Sequence, residues 1–343
     1  MNQVFQWINH DENISSAVQQ FAQPGCHSIY GLGGSVKSML VGKALCDINT
    51  QAIVVVPSKE NVAAWMSDLH FMVPHMRILD FPFVDKAVFT TTAKSIERAA
   101  RQMEVLGYLR SGSAGIVLAT AEEALQYIIA PQRIDDASID IAVGVEYDRN
   151  QFLQHLVDGG YERVDLVERR GHFSVRGDII DVYAVNYPDP LRLEFFGDEM
   201  ESIRFFDAAD QKSKETAKSV RILPISLESQ PEEATYTLLD YVGDGVIVWD
   251  EPNRVRENLK KLFKESDDYK GLVCPWQKAV SQPRGTQVVL SLLAQSVPDM
   301  TIDSSASFAV KMMASFQKQF NLLADELQHW QQNDNTVLFV LGS

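Results

Sequence analysis

The residue pattern that most resembles a catalytic motif is GLGGSVKS at residues 31–38, which follows the short apolar stretch SIY. A phosphate-binding loop of the form GxxxxGK[ST] uses its lysine on the phosphates and its hydroxyl on magnesium. Gly31, Lys37 and Ser38 are in register with that form, and Gly34 lies within the loop. The second glycine of the form is replaced by Val36, whose branched side chain restricts a backbone that must approach an anion closely. The sequence therefore predicts a degenerate phosphate loop.

A second candidate is the acidic pair Asp250 and Glu251, which follows the apolar run GVIVW at residues 245–249. Carboxylates at the end of a buried strand are where nucleotide-hydrolysing enzymes hold magnesium. The alternative is an ordinary helix-capping aspartate after a strand. Because Val36 disturbs the phosphate cradle, we interpret the pair as a degenerate acidic box and expect no catalysis. A nucleotide-dependent enzyme that works through these residues despite Val36 remains the competing hypothesis.

A third candidate is a group of arginines, Arg163, Arg170 and Arg176, in the stretch from residue 161 to 178. Strand alternation predicts that Ser174 and Arg176 face solvent, so that the three arginines can share one face. Arginine beside aromatic residues is typical of protein interfaces. The nearby aromatics are Tyr183 and Phe196. Cross-strand salt bridging with neighbouring carboxylates is an equally good interpretation.

The elements that must position these residues fall into three blocks. Continuous apolar runs at 51–57 and 115–120 predict buried parallel strands, and helical spacing covers 92–109. Within residues 138–224, short segments alternate apolar and polar residues with a period of two, which predicts an antiparallel sheet. One helix, at 149–159, is expected to precede these strands. Strands are again predicted at 245–249, 286–293 and 336–341, with a long helix at 307–332.

These blocks predict one α/β domain with a parallel sheet in two sequence halves, residues 1–133 and 227–343. An inserted α+β domain with an antiparallel sheet interrupts it at residues 134–226. A buried-type strand so near the end of the sequence leads us to expect that the chain is a fragment of a longer protein.

Composition restricts the classes of function. The 343 residues include 31 basic and 46 acidic ones, a net charge of −15, which argues against a protein that mainly binds nucleic acid or anionic membranes. A DNA-binding module with a local basic groove remains a third hypothesis. The three cysteines have no CxxC spacing and the histidines no paired ligand spacing, so we expect no metal site. The start has no secretory pattern and no apolar run is long enough to span a bilayer, which favours the cytoplasm.

Residues 160–207 carry a long, specific pattern: GYERVDLVERRGHFSVRGDIIDVYAVNYPDPLRLEFFGDEMESIRFFD. This run resembles the domain shared by the excision-repair protein UvrB and the bacterial transcription-repair coupling factors (Mfd), and the resemblance extends through nearly the whole chain. UvrB has an intact phosphate loop and a DESH box, whereas this chain has Val36 and the sequence DEPN at 250–253. The chain therefore resembles the degenerate N-terminal UvrB-homology module of the coupling factors, which implies that its α/β domain is helicase-like, of the P-loop type.

The resemblance implies a non-catalytic recruitment module that brings UvrA to stalled RNA polymerase in transcription-coupled nucleotide excision repair. The family's inserted domain binds UvrA through arginines and an aromatic residue, and the matching positions are Arg163, Arg176 and Tyr183. Arg170 and Phe196 complete the expected UvrA-binding surface. UvrB has a further arginine where this chain has Ser174, so that contact is not carried over.

The same resemblance assigns the remaining partners and cofactors to other parts of the full-length family protein, an ATP-dependent DNA translocase. RNA polymerase and double-stranded DNA bind through domains beyond this chain, and a later domain binds ATP and magnesium. This chain is expected to need no cofactor of its own and to contact no membrane. In the intact family protein, a C-terminal domain is expected to cover the UvrA-binding surface.

Overall fold

The computed structural model describes residues 12–84, 93–227, 235–282, 284–310, 320–333 and 337. The chain forms two compact units, Met1–Phe308 and Ala309–Ser343. The described helices, α1 to α10 in chain order, are Glu12–Gln20, Val36–Ile48, Lys59–Met72, Ala93–Arg110, Ala121–Ala124, Pro131–Ala137, Arg149–Asp158, Pro252–Glu265, Trp276–Ser281 and Phe320–Gln332. Within these described residues, no helix is both long and apolar enough to cross a bilayer.

The described strands, β1 to β15 in chain order, are Gly25–Tyr30, Gln51–Val56, Arg77–Asp80, Gly115–Thr120, Ile139–Ala142, Glu162–Arg163, His172–Arg176, Ile179–Val182, Leu191–Phe196, Glu199–Phe206, Ser213–Ala217, Ser219–Ile222, Val246–Asp250, Thr286–Ser291 and Ser304–Ser307. Short 3₁₀ helices span Leu238–Tyr241 and Asp267–Gly271.

The larger sheet is parallel throughout, and it combines strands from both sequence halves in the order β15-β1-β14-β13-β2-β4-β3. Every residue of β2 and β4 is buried, as continuous apolar runs covered by helices on both faces require. Because all seven strands run in one direction, their carboxyl ends meet at one edge of the sheet. The loop after β1 and the acidic end of β13 therefore lie at that same edge.

The smaller sheet has the strand order β11-β10-β9-β8-β7-β6 and is antiparallel except for the short pairing of β6 with β7. Helix α7 covers one face, where the rings of Phe152 and Phe195 lie 6.1 Å apart. Strands β5 and β12, which precede and follow this sheet in the sequence, pair with each other in a separate two-stranded sheet. The first and last strands of the inserted unit thus pair with each other where the chain enters and leaves it, and we call this pair its neck.

The predicted fold class is confirmed: a parallel α/β sheet from two sequence halves, interrupted by a unit with an antiparallel sheet. The helix expected from Ser307 is wrong at its start, because Ser304–Ser307 is an edge strand paired with β1, and the described helix runs from Phe320 to Gln332. The strand predicted at 336–341 lies outside the described residues except for residue 337. The domain limits at 133/134 and 226/227 stay predictions.

Candidate functional site

The degenerate phosphate loop connects the end of β1 to the start of α2. Gly31 has φ +80°, and a Cβ atom added there would lie 1.8 Å from the carbonyl oxygen of Phe308. Phe308 is fixed in this place because its amide donates a hydrogen bond of 2.8 Å to the Tyr30 carbonyl. Gly34 also has a positive φ, +58°, but an added Cβ would meet nothing within 4 Å. The first glycine of the motif is therefore required by the close passage of another chain segment.

Lys37 and the acidic pair, 213 residues apart in the sequence, meet at the carboxyl edge of the parallel sheet. The Lys37 Nζ lies 2.6 Å from Asp250 Oδ1 and 2.6 Å from Glu251 Oε1. Lys37 is 7% exposed and Asp250 is 4% exposed. Asp250 Oδ2 also accepts a hydrogen bond of 3.1 Å from the Trp65 indole, and Glu251 Oε1 one of 2.8 Å from the Leu292 amide. The two degenerate motifs thus form one buried ion-pair cluster.

The hydroxyl of Ser38 is engaged as well. Its Oγ lies 2.7 Å from the carboxylate of Asp68 and 2.9 Å from the Ser35 carbonyl. The groups that would meet phosphate and magnesium in a working loop, Lys37 and Ser38, are bonded to carboxylates of the protein itself. Val36, which stands in place of the second glycine of the motif, is the first residue of α2. Among the described residues, no group of three His, Cys, Asp or Glu side chains is arranged to hold a metal ion.

The predicted partner-binding surface lies on the inserted unit, and Arg176 there belongs to a cluster around Asp181. Asp181 Oδ2 lies 2.5 Å from Arg176 Nη2, and the two carboxylate oxygens accept bonds of 2.7 and 2.9 Å from Arg192. These hydrogen bonds raise the pKa of the Arg192 guanidinium. Asp181 is 1% exposed, whereas the Arg176 side chain is half exposed. Arg176 therefore rests on a buried carboxylate with its outer half in solvent.

Ser174 is buried, contrary to the prediction that it faces solvent. It lies in register with Asp181, and the long side chains of Arg176 and Arg192 reach across this row to the same carboxylate. Strand alternation gives the correct side of the sheet for Ser174. It cannot show that neighbouring arginines close over that side.

The other two predicted arginines are placed differently. Arg163 is exposed and lies in register with Phe173, out of phase with Arg176, so alternation assigns these arginines to opposite sides of the sheet. Arg170 turns towards α4, where its Nη1 lies 3.5 Å from a buried carboxylate oxygen of Glu104. The three arginines therefore do not share one face as expected.

Of the two predicted aromatic residues, Phe196 is the more accessible. It is 77% exposed at the end of β9, beside the Gly197 turn. Tyr183 is half-buried, and its hydroxyl donates a hydrogen bond of 2.7 Å to the Pro188 carbonyl. Nearby, burial and the Arg169 guanidinium lower the pKa of His172, whose Nε2 lies 2.7 Å from Arg169 Nε.

Sequence reasoning missed Asp181 and Arg192. A signal for them existed, since an aspartate inside the apolar strand Ile179–Val182 is a buried polar residue that needs a partner. The partner becomes identifiable only from the register of β8 against β9, which places Arg192 directly opposite Asp181.

Comparisons with known proteins agree with this architecture. Residues 139–227, which span the smaller sheet and its neck, match the family model of the UvrB interaction domain. The chain is 25% identical to a transcription-repair-coupling factor of Bacillus subtilis over 90% of its own length and 32% of that protein. It is 30% identical to a transcription-repair-coupling factor of Myxococcus xanthus, over 68% of the chain and 20% of the relative.

A third relative, from Staphylococcus haemolyticus, is 22% identical over 91% of the chain and carries the same name. The chain spans a third or less of the length of each of these relatives. The matching domain, its place within a split parallel sheet and the relatives that cover most of the chain lead to one assignment. The chain is an N-terminal UvrB-homology module of the transcription-repair-coupling factor family.

Proposed function

We propose that this chain is a non-catalytic recruitment module that binds UvrA and delivers it to stalled RNA polymerase during transcription-coupled nucleotide excision repair. The observation that carries the proposal is the match of residues 139–227 to the UvrB interaction domain. UvrA contacts exposed residues on both sides of the smaller sheet of that domain, Arg163 on one side and Arg176 on the other. Phe196, Arg170 and Tyr183 are the further residues of the proposed binding surface.

Arg163 is the arginine best placed to serve a partner. Residues 139–227 contain eight arginines, and seven of them have an ion pair within the chain. Arg163 is the exception among these described residues. An exposed guanidinium without an internal partner has all its donors free for a carboxylate on another protein. Arg176, half exposed and bonded through one nitrogen, is the next most available.

The non-catalytic assignment is supported by the buried cluster of Lys37, Asp250 and Glu251. A lysine that already neutralises two carboxylates has to leave them before it can meet a phosphate. Val36 adds a second obstacle. The competing hypothesis, a UvrB-like nucleotide-binding or ATPase module with weak DNA binding, finds no support in this arrangement.

The relatives are longer proteins that contain a similar module, and we assign the remaining partners to the other domains of such a protein. We infer that RNA polymerase and double-stranded DNA bind other domains of a cytoplasmic ATP-dependent translocase, whose C-terminal domain covers the UvrA-binding surface until it is released. The name of the relatives, transcription-repair-coupling factor, fits this division of labour.

The experiment that tests the proposal compares UvrA binding by the wild-type chain, Arg163→Glu and Lys218→Glu at physiological salt. Lys218 is a matched control because it is exposed, lies in the same domain and makes no ion pair within the described residues. Both substitutions change the charge by two and break no internal ion pair, so both variants should melt like the wild type. We expect Arg163→Glu to lose most UvrA binding and Lys218→Glu to keep it.

Equal loss in both variants would indicate a general charge effect, and unchanged binding by Arg163→Glu would remove Arg163 from the site. Absence of binding by the folded wild-type chain would refute the recruitment proposal itself. Titration with duplex DNA at low and moderate salt tests the hypothesis that the chain is a DNA-binding module, because DNA binding weakens steeply as salt rises.

A further inference from the structure

The half-exposed Arg176 is held by a relay of contacts that leads into the core of the inserted domain. The guanidinium of Arg192 lies 4.4 Å from the centre of the Phe206 ring. It also lies 3.3 Å from Gln211 Oε1, and its side chain is only 16% exposed. Arg192 in turn donates one hydrogen bond to each carboxylate oxygen of Asp181. One of these oxygens, Oδ2, also accepts the hydrogen bond from Arg176.

The charges of this cluster determine what it offers to a partner. A buried aspartate bonded to Arg176 alone would neutralise it and present no net charge at the surface. Because Arg192 binds the same carboxylate in a bidentate manner, the three groups together carry one positive charge. That charge reaches solvent mainly at Arg176, whose side chain is half exposed and whose remaining donors are free, whereas the Arg192 side chain is 16% exposed.

We propose that Asp181 is a positioning residue for UvrA recognition: held by Arg192, it fixes Arg176 so that the free N–H groups of Arg176 donate hydrogen bonds to a carboxylate of UvrA. The inference rests on the proposed function, because it assigns the orientation of Arg176 a role in that binding. Orientation matters because an arginine held in advance loses less conformational freedom when its partner arrives.

The sign of one substitution distinguishes positioning from charge. Asp181→Asn keeps the shape of the side chain and raises the positive charge of the cluster by one. If charge alone attracted an acidic partner, this variant would bind UvrA more tightly. If Asp181 positions Arg176, it binds more weakly, and we expect a loss of about tenfold in affinity, comparable to one charged hydrogen bond.

The test is a double-mutant cycle on UvrA affinity with the full 343-residue chain: Asp181→Asn, Arg176→Ala and both together. We expect the two losses to be strongly non-additive, since without Arg176 there is nothing for Asp181 to position. If Asp181→Asn fails to fold, Arg176→Lys serves as a second variant that tests orientation apart from charge. It keeps an exposed positive charge at this position but loses the planar guanidinium. We expect Arg176→Lys to bind several-fold more weakly with an unchanged melting temperature.

The outcomes separate the two claims. Weaker binding by Arg176→Ala together with unchanged or tighter binding by Asp181→Asn, or wild-type affinity in Arg176→Lys, overturns the positioning role and leaves the recruitment proposal intact. Wild-type affinity in both Arg163→Glu and Arg176→Ala overturns the proposed site and the positioning role with it.

Discussion

Lys37 and Asp250 form a buried ion pair of 2.6 Å that joins the first turn of α2 to the last residue of β13. Removal of one partner from a buried pair leaves the other charge without compensation, which typically costs about 3–5 kcal/mol. We therefore expect Lys37→Met to lower the free energy of unfolding by about that amount, as measured by urea denaturation. A lysine kept only for a ligand would instead tolerate this substitution in the absence of the ligand.

The control for this substitution is Lys260→Met. Lys260 makes an ion pair of 2.7 Å with Glu257 on an exposed surface of α8, where solvent screens the charges. We expect the urea midpoint of Lys260→Met to remain at the wild-type value. An equal shift in both variants would contradict a special role for the buried pair.

Nucleotide binding gives a second prediction. A ligand at a hundredfold excess over its Kd stabilises the protein that binds it by about 2.7 kcal/mol. We expect ATP with magnesium to leave the melting temperature unchanged, because Lys37 is bonded to Asp250 and Glu251. Val36→Gly alone should not create binding, since it leaves that cluster in place. A saturable rise in melting temperature for the wild type would favour the ATPase hypothesis.

The two loop glycines provide a matched pair of substitutions. Both have positive φ, so alanine at either position costs about 1–2 kcal/mol from backbone conformation. Gly31→Ala also places its Cβ against the Phe308 carbonyl, whereas Gly34→Ala meets open space. We expect Gly31→Ala to be clearly the more destabilising in thermal melting. Equal effects would show that Phe308 does not hold its place beside the loop.

The pH dependence of stability should reflect Cys26. Burial, and secondarily the charge of Asp303, raise the pKa of its thiol from 9.0 to about 11. Above pH 9 the unfolded thiol ionises while the folded one stays protonated, so stability declines as pH rises from 9 and the contribution is lost by about 11. Cys26→Ala should flatten this decline in urea melts at pH 8, 9.5 and 11. An unchanged slope would assign the decline to other groups.

Sequence patterns predicted the elements whose burial is uniform. Strands β2 and β4 are buried at every position and apolar at all their inner positions, because helices cover both faces of the parallel sheet. Strand β15 was missed for the opposite reason. Its residues Ser304–Ser307 are small and mostly polar, which an edge strand tolerates and a pattern search does not detect.

The site could be predicted only as far as local motifs extend. The meeting of Lys37 with Asp250 follows from the rule that parallel strands end at one edge, given the two motifs. The Asp181–Arg192 pair depends on strand register, which the sequence does not determine without the turn geometry. The same limit explains why Arg163 and Arg176 were expected on one face.

The pairing of β5 with β12 holds the two ends of the inserted domain side by side. The chain enters and leaves it through two adjacent antiparallel strands, from Ile139↔Ile222 to Ala142↔Ser219. Insertion of such a segment into the α/β domain adds little loop-closure entropy cost, since the two ends of the segment are already held together. A segment of this kind can be acquired, exchanged or lost during evolution with few changes to the sheet that carries it.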